Sequence, residues 1–181
     1  MPEKTKLVHR IRINASIQDV WDALTKEGEV LPFFFNSVLQ TTSLAPGAPM
    51  RMRSKDGKFT GVVGDVLELD PPYRYVTTFK FTNFDDPPCK VTHELKEVDG
   101  GVEYTLISEQ IPAGTKTEKQ MKQGGDFITK SLKGVVENGR PPLGPRLILF
   151  MIGLFGWTTP KQCRSEHWPL DMKIELGSDS E

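Results

Sequence analysis

The chain is 181 residues and 20.3 kDa, enough for one hydrophobic core and too short for two ordinary domains. Its 23 Lys plus Arg against 24 Asp plus Glu leave a formal charge of -1, which offers no electrostatic footprint for nucleic acid and no broad basic face for anionic lipid. Cys89 and Cys163 stand far apart without CxxC or Cys/His spacing, the pattern of reduced thiols in a cytoplasmic protein rather than of a disulfide framework, and the polar N-terminus lacks a secretory signal.

Residues 7–13 (LVHRIRI) alternate, with Leu7, His9, Ile11 and Ile13 on one face, and predict a half-buried first strand. Ser16 stands three residues before Asp19 and ahead of Val20, Trp21 and Leu24 at helical spacing, which predicts a capped helix ending near Gly28. Glu29 to Phe35 reads as a second short helical turn with its aromatic side inward.

From residue 37 to 110, strand-like runs are divided by Pro46-Gly47, Asp56-Gly57, Asp70-Pro71-Pro72, Asp86-Pro87-Pro88 and Asp99-Gly100-Gly101, and six antiparallel strands in a meander follow. Tyr73, Tyr75, Thr77, Phe79 and Phe81 share one face of their run, as do Val91, His93 and Leu95 of the next, and both faces are expected on the concave side. Thr115 to Asn138 predicts the longest helix, with Met121, Ile128, Leu132 and Val135 on its apolar stripe and Asn138-Gly139 as its stop. Gly124-Gly125 inside it costs roughly 1 kcal/mol per glycine against alanine, which predicts close approach of the backbone to a ligand or to the sheet.

The expected architecture is α+β: a curved antiparallel sheet of about seven strands wrapped around a long C-terminal helix, with two short helices after strand one. Residues 1–139 form that domain, and 140–181 form a stiff linker (RPPLGPR), an apolar extension and a polar, frayed end. The run Leu147 to Trp157 is too short for a spanning helix, which needs roughly 20 residues. Packing on the domain, exchange into a homodimer and peripheral contact with a membrane each cover it. Arg140, Arg146, Lys161 and Arg164 flank the run rather than interleave with it, which favours packing or dimerisation.

The order strand, two short helices, six strands, long helix resembles the helix-grip fold of the START-like, birch-pollen-allergen-like or SRPBCC superfamily. Within it, the chain is most similar to the family of activators of the heat-shock-protein ATPase. The resemblance rests on Ile13-Asn14-Ala15-Ser16 leading into Val20-Trp21-Asp22-Ala23-Leu24-Thr25, then Pro46-Gly47, Asp56-Gly57, Gly61 and Val66 to Tyr73. It continues through Val91-Thr92-His93-Glu94-Leu95 and Gly101 to Leu106, and covers roughly residues 7–138. The sequence departs from the pattern at Phe33-Phe34 and at Gly124-Gly125-Asp126, where the family often places tryptophan.

The resemblance implies a binding module for an apolar or amphipathic small molecule, lipid-, sterol- or polyketide-like, held between sheet and long helix. As the alternative it implies an enzyme of cyclase or hydrolase type, with His93 or Tyr104 as acid/base, and as a second and lower alternative a co-chaperone of the heat-shock ATPase. Strand one begins by residue 7, so the last reading lacks the large N-terminal domain of the eukaryotic activators. Candidate ligand-binding residues are Trp21, Phe33, Phe34, Met50, Met52, Phe79, Phe81, His93, Tyr104, Ser108, Phe127 and Ile128. His93 reads either as a ligand contact or as a structural histidine satisfied by a neighbouring hydroxyl, and the apolar set reads either as pocket or as filled core. His9, His93 and His167 lie far apart without metal-ligand spacing, and neither a phosphate loop nor a dinucleotide fingerprint occurs, so no metal and no cofactor is expected.

Overall fold

The computed structural model describes residues 3–155 and 159–177, apart from the side chains of residues 154 and 155. Trp157, counted in the apolar run, therefore lies outside the described residues, as does the end of the chain.

Strand β1 (Lys4–Ile13) keeps the predicted alternation, with every second residue turned inward. Helix α1 (Ile17–Thr25) starts on Ser16, whose side chain accepts the Asp19 backbone N–H, and buries Val20, Trp21 and Leu24. The expected second short helix divides instead into a two-residue strand, β2 (Val30–Leu31), and a 3-10 turn, Pro32–Phe34. Proline is the physical reason: it holds Leu31 extended and supplies the first residue of the turn.

The meander follows as β3 (Ser37–Gln40), β4 (Pro49–Arg53), β5 (Thr60–Asp70), β6 (Arg74–Phe81), β7 (Cys89–Val98) and β8 (Gly101–Pro112), each break falling on a predicted turn. All eight strands form one antiparallel sheet, ordered β1-β8-β7-β6-β5-β4-β3-β2. Register shifts in β1, β4 and β5 increase the curl. Tyr73 falls in the turn before β6 and is exposed, so it leaves the concave face on which Tyr75, Thr77, Phe79 and Phe81 stand.

The concave face closes on helix α2 (Lys116–Asn138), capped by Thr115 and ended by Gly139 in the left-handed conformation. A Cβ on Gly125 would lie 2.2 Å from His9 Nε2, so glycine lets the helix seat on the β1 imidazole. Gly124 meets nothing nearer than Phe35 Cζ at 3.9 Å.

Helix α3 (Leu143–Phe155) follows, and the chain then returns along the sheet. Residues 168–174 cover the face of β4 and β5 that points away from α2. Arg51, fully buried there, donates to the carbonyls of Met50 (3.0 Å), Gly64 (2.8 Å), Pro169 (3.1 Å) and Met172 (2.5 Å). Asp65, 3.8 Å from that guanidinium, accepts the Ile174 N–H. Ile174 is buried, so the polar end of the chain, expected to fray, is tied down at least to this residue.

Candidate functional site

A cavity of about 690 Å³ lies between the concave face and α2, within the range of small-ligand sites. Strand alternation aims alternate side chains into it: Phe79 and Phe81 from β6, Val91 and His93 from β7, Leu106 and Ser108 from β8. Helix α2 contributes Gln120, Met121, Gln123, Gly124, Phe127 and Ile128. Ile148 and Ile152 of α3, with Thr159, Pro160 and Cys163, close the end beside Phe59–Val62 and Phe81–Asn83.

The lining under α2 includes a cluster of aromatic rings. Phe35 stacks on Phe127 at 4.3 Å between centroids and 8° between planes, while Phe34 meets Phe79 edge-on at 6.4 Å. Phe35 and Asn36 both hold positive φ, 53° and 57°, a conformation that costs of order 1 kcal/mol or more per residue. It is what turns the Phe35 ring back onto the helix, and the stacked contact offsets part of that cost.

At the inner end, His93 Nδ1 and the Tyr104 hydroxyl lie 2.8 Å apart in a hydrogen bond. Burial holds the imidazole well below its ordinary value, at about 4, so it is neutral at neutral pH. Burial also raises the Tyr104 phenol, which therefore stays protonated. His93 borders the cavity, whereas Tyr104, fully buried, stands behind it and does not line it.

Seven of the twelve side chains singled out in the sequence meet at this cavity: Phe34, Phe79, Phe81, His93, Ser108, Phe127 and Ile128. Trp21 does not; α1 packs it into the core against α2, β7 and β8. Phe33, Met50 and Met52 surround a separate void of about 40 Å³ beneath β2–β4, too tight for a ligand. Tyr104 is placed one side chain back. Phe35, Gln120, Gln123 and the α3 residues were missed, since their place at the cavity depends on contacts between segments distant in the sequence. Among the described side chains lining the cavity there is no Asp, Glu, Lys or Arg.

A curled antiparallel sheet gripping one long helix around such a cavity defines the helix-grip class, the SRPBCC superfamily. The profile of the family described as Activator of Hsp90 ATPase homolog 1-like protein matches residues 14–137, and the chain belongs to that family. No curated protein sequence matches it.

Solved structures agree on the fold. DynU16, from the dynemicin biosynthetic locus, is similar with a TM-score of 0.61 and 22% identity over 75% of this chain and 48% of that one. The Aha1 dimer from Colwellia psychrerythraea gives 0.61 and 18% over 75% and 98%, and CalU16 from Micromonospora echinospora 0.55 and 17% over 84% and 85%.

Proposed function

We propose that this chain binds a small apolar or amphipathic molecule, of lipid-, sterol- or polyketide-like chemistry, in the cavity between sheet and α2. The cavity itself carries the reading: about 690 Å³, aromatic and aliphatic walls, and hydroxyl, amide and imidazole groups as its polar contacts. A lining without formal charge favours a ligand whose buried part is neutral, because an unpaired ion there would meet no counter-charge. The fold likeness to a protein of the dynemicin biosynthetic locus supports looking among polyketide-like compounds. Two buried free thiols support a reducing, cytoplasmic setting.

The acid/base alternative is weaker on the geometry. A histidine held near 4 is a poor base at neutral pH, its Nδ1 is engaged, and Tyr104 has no surface in the cavity. The family match supports one further reading, stimulation of the Hsp90 ATPase, tested by adding this chain to the chaperone and following turnover. The exposed apolar side chains Leu147, Phe150 and Met151 of α3 support a second contact, with a copy of this chain or with a lipid surface.

Solvent extraction of the unfolded protein followed by mass spectrometry tests the ligand reading, together with titration of a nitrobenzoxadiazole-labelled fatty acid. Gly124→Leu places a side chain in the cavity at a position with room for its Cβ, and is expected to weaken probe binding at least about tenfold without loss of folding. A native protein that releases no apolar compound and takes up no probe would refute the reading.

A further inference from the structure

Helix α3 is apolar on the side turned away from the domain. With 3.6 residues per turn, Leu147 and Met151 fall opposite Leu149, which is buried, and Leu143 and Phe150 lie on the flank beside them. Leu143 is 79%, Leu147 64% and Phe150 63% exposed, a contiguous apolar face that water does not tolerate without cost. Packing on the domain, one of the two solutions the sequence favours, thus covers only one side of the helix.

The charges around it are one-sided. Between Glu137 and Glu166 the chain has Arg140, Arg146, Lys161 and Arg164 and no acidic residue, while the whole chain is at -1. All four cations, whose flanking positions favour packing or dimerisation on the sequence alone, are exposed beside a face that packing leaves open; Arg164 also lies 3.6 Å from Glu166. A two-fold dimer through this helix would bring like cations of two copies together, whereas an anionic bilayer complements them. Thirteen residues make a helix of about 20 Å, short of the roughly 30 Å hydrocarbon core, and no helix among the described residues is long and apolar enough to cross a membrane. The geometry is that of a helix lying in the headgroup layer.

The other flank of the same helix lines the cavity through Ile148 and Ile152, which are also 47% and 45% exposed. We propose that α3 is a membrane-docking lid: it settles into the surface of an anionic bilayer and places the end of the cavity against the lipid, where the apolar ligand is exchanged. The exchange step rests on the ligand reading above; the docking step does not.

Flotation of the full chain with phosphatidylcholine vesicles, with and without phosphatidylserine, reads docking, and the labelled fatty acid reads the cavity in solution and its delivery from vesicles. The protein is expected to float with the phosphatidylserine vesicles. Paired Leu147→Glu and Phe150→Glu lowers the partition coefficient at least about tenfold and slows delivery, with solution binding unchanged because neither side chain lines the cavity. Arg146→Glu with Lys161→Glu lowers it by about fivefold or more per site on the anionic vesicles alone.

Failure to float, or flotation untouched by the paired glutamates, overturns the proposal. So does a dimer in native mass spectrometry that those glutamates dissociate, since a copy of the chain then covers the helix. Flotation without probe binding in solution refutes the ligand reading and the exchange step while docking stands. Unchanged thermal melting of the variants excludes misfolding as the cause of lost docking.

Discussion

Two adjacent glycines in the middle of α2 give opposite expectations for the same substitution. Alanine in a helix interior is favoured over glycine by about 1 kcal/mol. At Gly124 the new Cβ has Phe35 Cζ as its nearest neighbour at 3.9 Å, an ordinary contact, so Gly124→Ala should realise that whole gain. At Gly125 the Cβ would fall 2.2 Å from His9 Nε2 and 2.3 Å from its Cδ2. His9 is held by its pairing opposite Leu106 and by Nδ1 at 3.2 Å from Asp126, so the ring must leave or the helix must lift. Overpacking of this kind costs about 1–3 kcal/mol, which offsets the helical gain and leaves Gly125→Ala about 1 kcal/mol less stable than the natural chain. Urea melts followed by circular dichroism measure both free energies, and in thermal melts the midpoints are expected to move about 2–4 °C in opposite directions. His9→Ala should convert Gly125→Ala from harmful to helpful, a coupling that a double-mutant cycle reads. Equal stabilisation by the two alanines would refute the seating of α2 on His9.

Arg51→Met should cost about 3–5 kcal/mol, because it strips four carbonyls of their donor and leaves Asp65 buried without its counter-charge; hydrogen exchange at the Ile174 amide should rise with it. Tyr104→Phe removes the partner of His93 Nδ1 at 2.8 Å and should cost about 1–3 kcal/mol in a chemical melt. For His93 the folded state resists a proton that the unfolded state takes up near its ordinary value of 6.5, so stability is lost as pH falls from there towards about 4 and levels off below. The loss is on the order of 3 kcal/mol, and His93→Gln should remove that portion of the pH dependence of urea melts.

The sheet was legible because alternation and turn chemistry repeat. Each of five Pro/Gly/Asp clusters lies between two strands, and Val91, His93 and Leu95 point inward as their period requires. The α2 boundaries were legible from Thr115 and Asn138-Gly139 for the same local reason. What was not legible depends on contacts between distant segments. Arg51 alternates with Met50 and Met52 as a solvent-facing residue would, and nothing before residue 168 announces that the chain returns to cover it. Phe35 and Asn36 carry no glycine to mark their positive φ, yet that turn lays a ring against Phe127 in the cavity lining. Trp21, Met50 and Met52 are the hydrophobic types expected of a pocket and serve as core instead, since a sequence shows that side chains are apolar but not where space between them is left.

The polar end of the cavity constrains what a ligand presents there. A buried phenol needs an acceptor for its proton, and His93 Nδ1 is the partner within reach of the Tyr104 hydroxyl. With Tyr104 donating, the neutral imidazole carries its own hydrogen on Nε2, at the tip of a side chain directed off the concave face. The group offered to the cavity is then a donor, and it pairs with a ligand carbonyl, ether or hydroxyl oxygen rather than with an ammonium or amide N–H. Nitrogen-15 shifts of the His93 ring should report the Nε2–H tautomer in the empty protein, and a fatty ketone should bind more tightly than the alkane of equal length. The opposite tautomer, with the alkane bound equally well, would remove His93 from recognition and leave it to the other polar lining residues, among them Ser37, Thr60, Asn83, Ser108 and the two α2 glutamines.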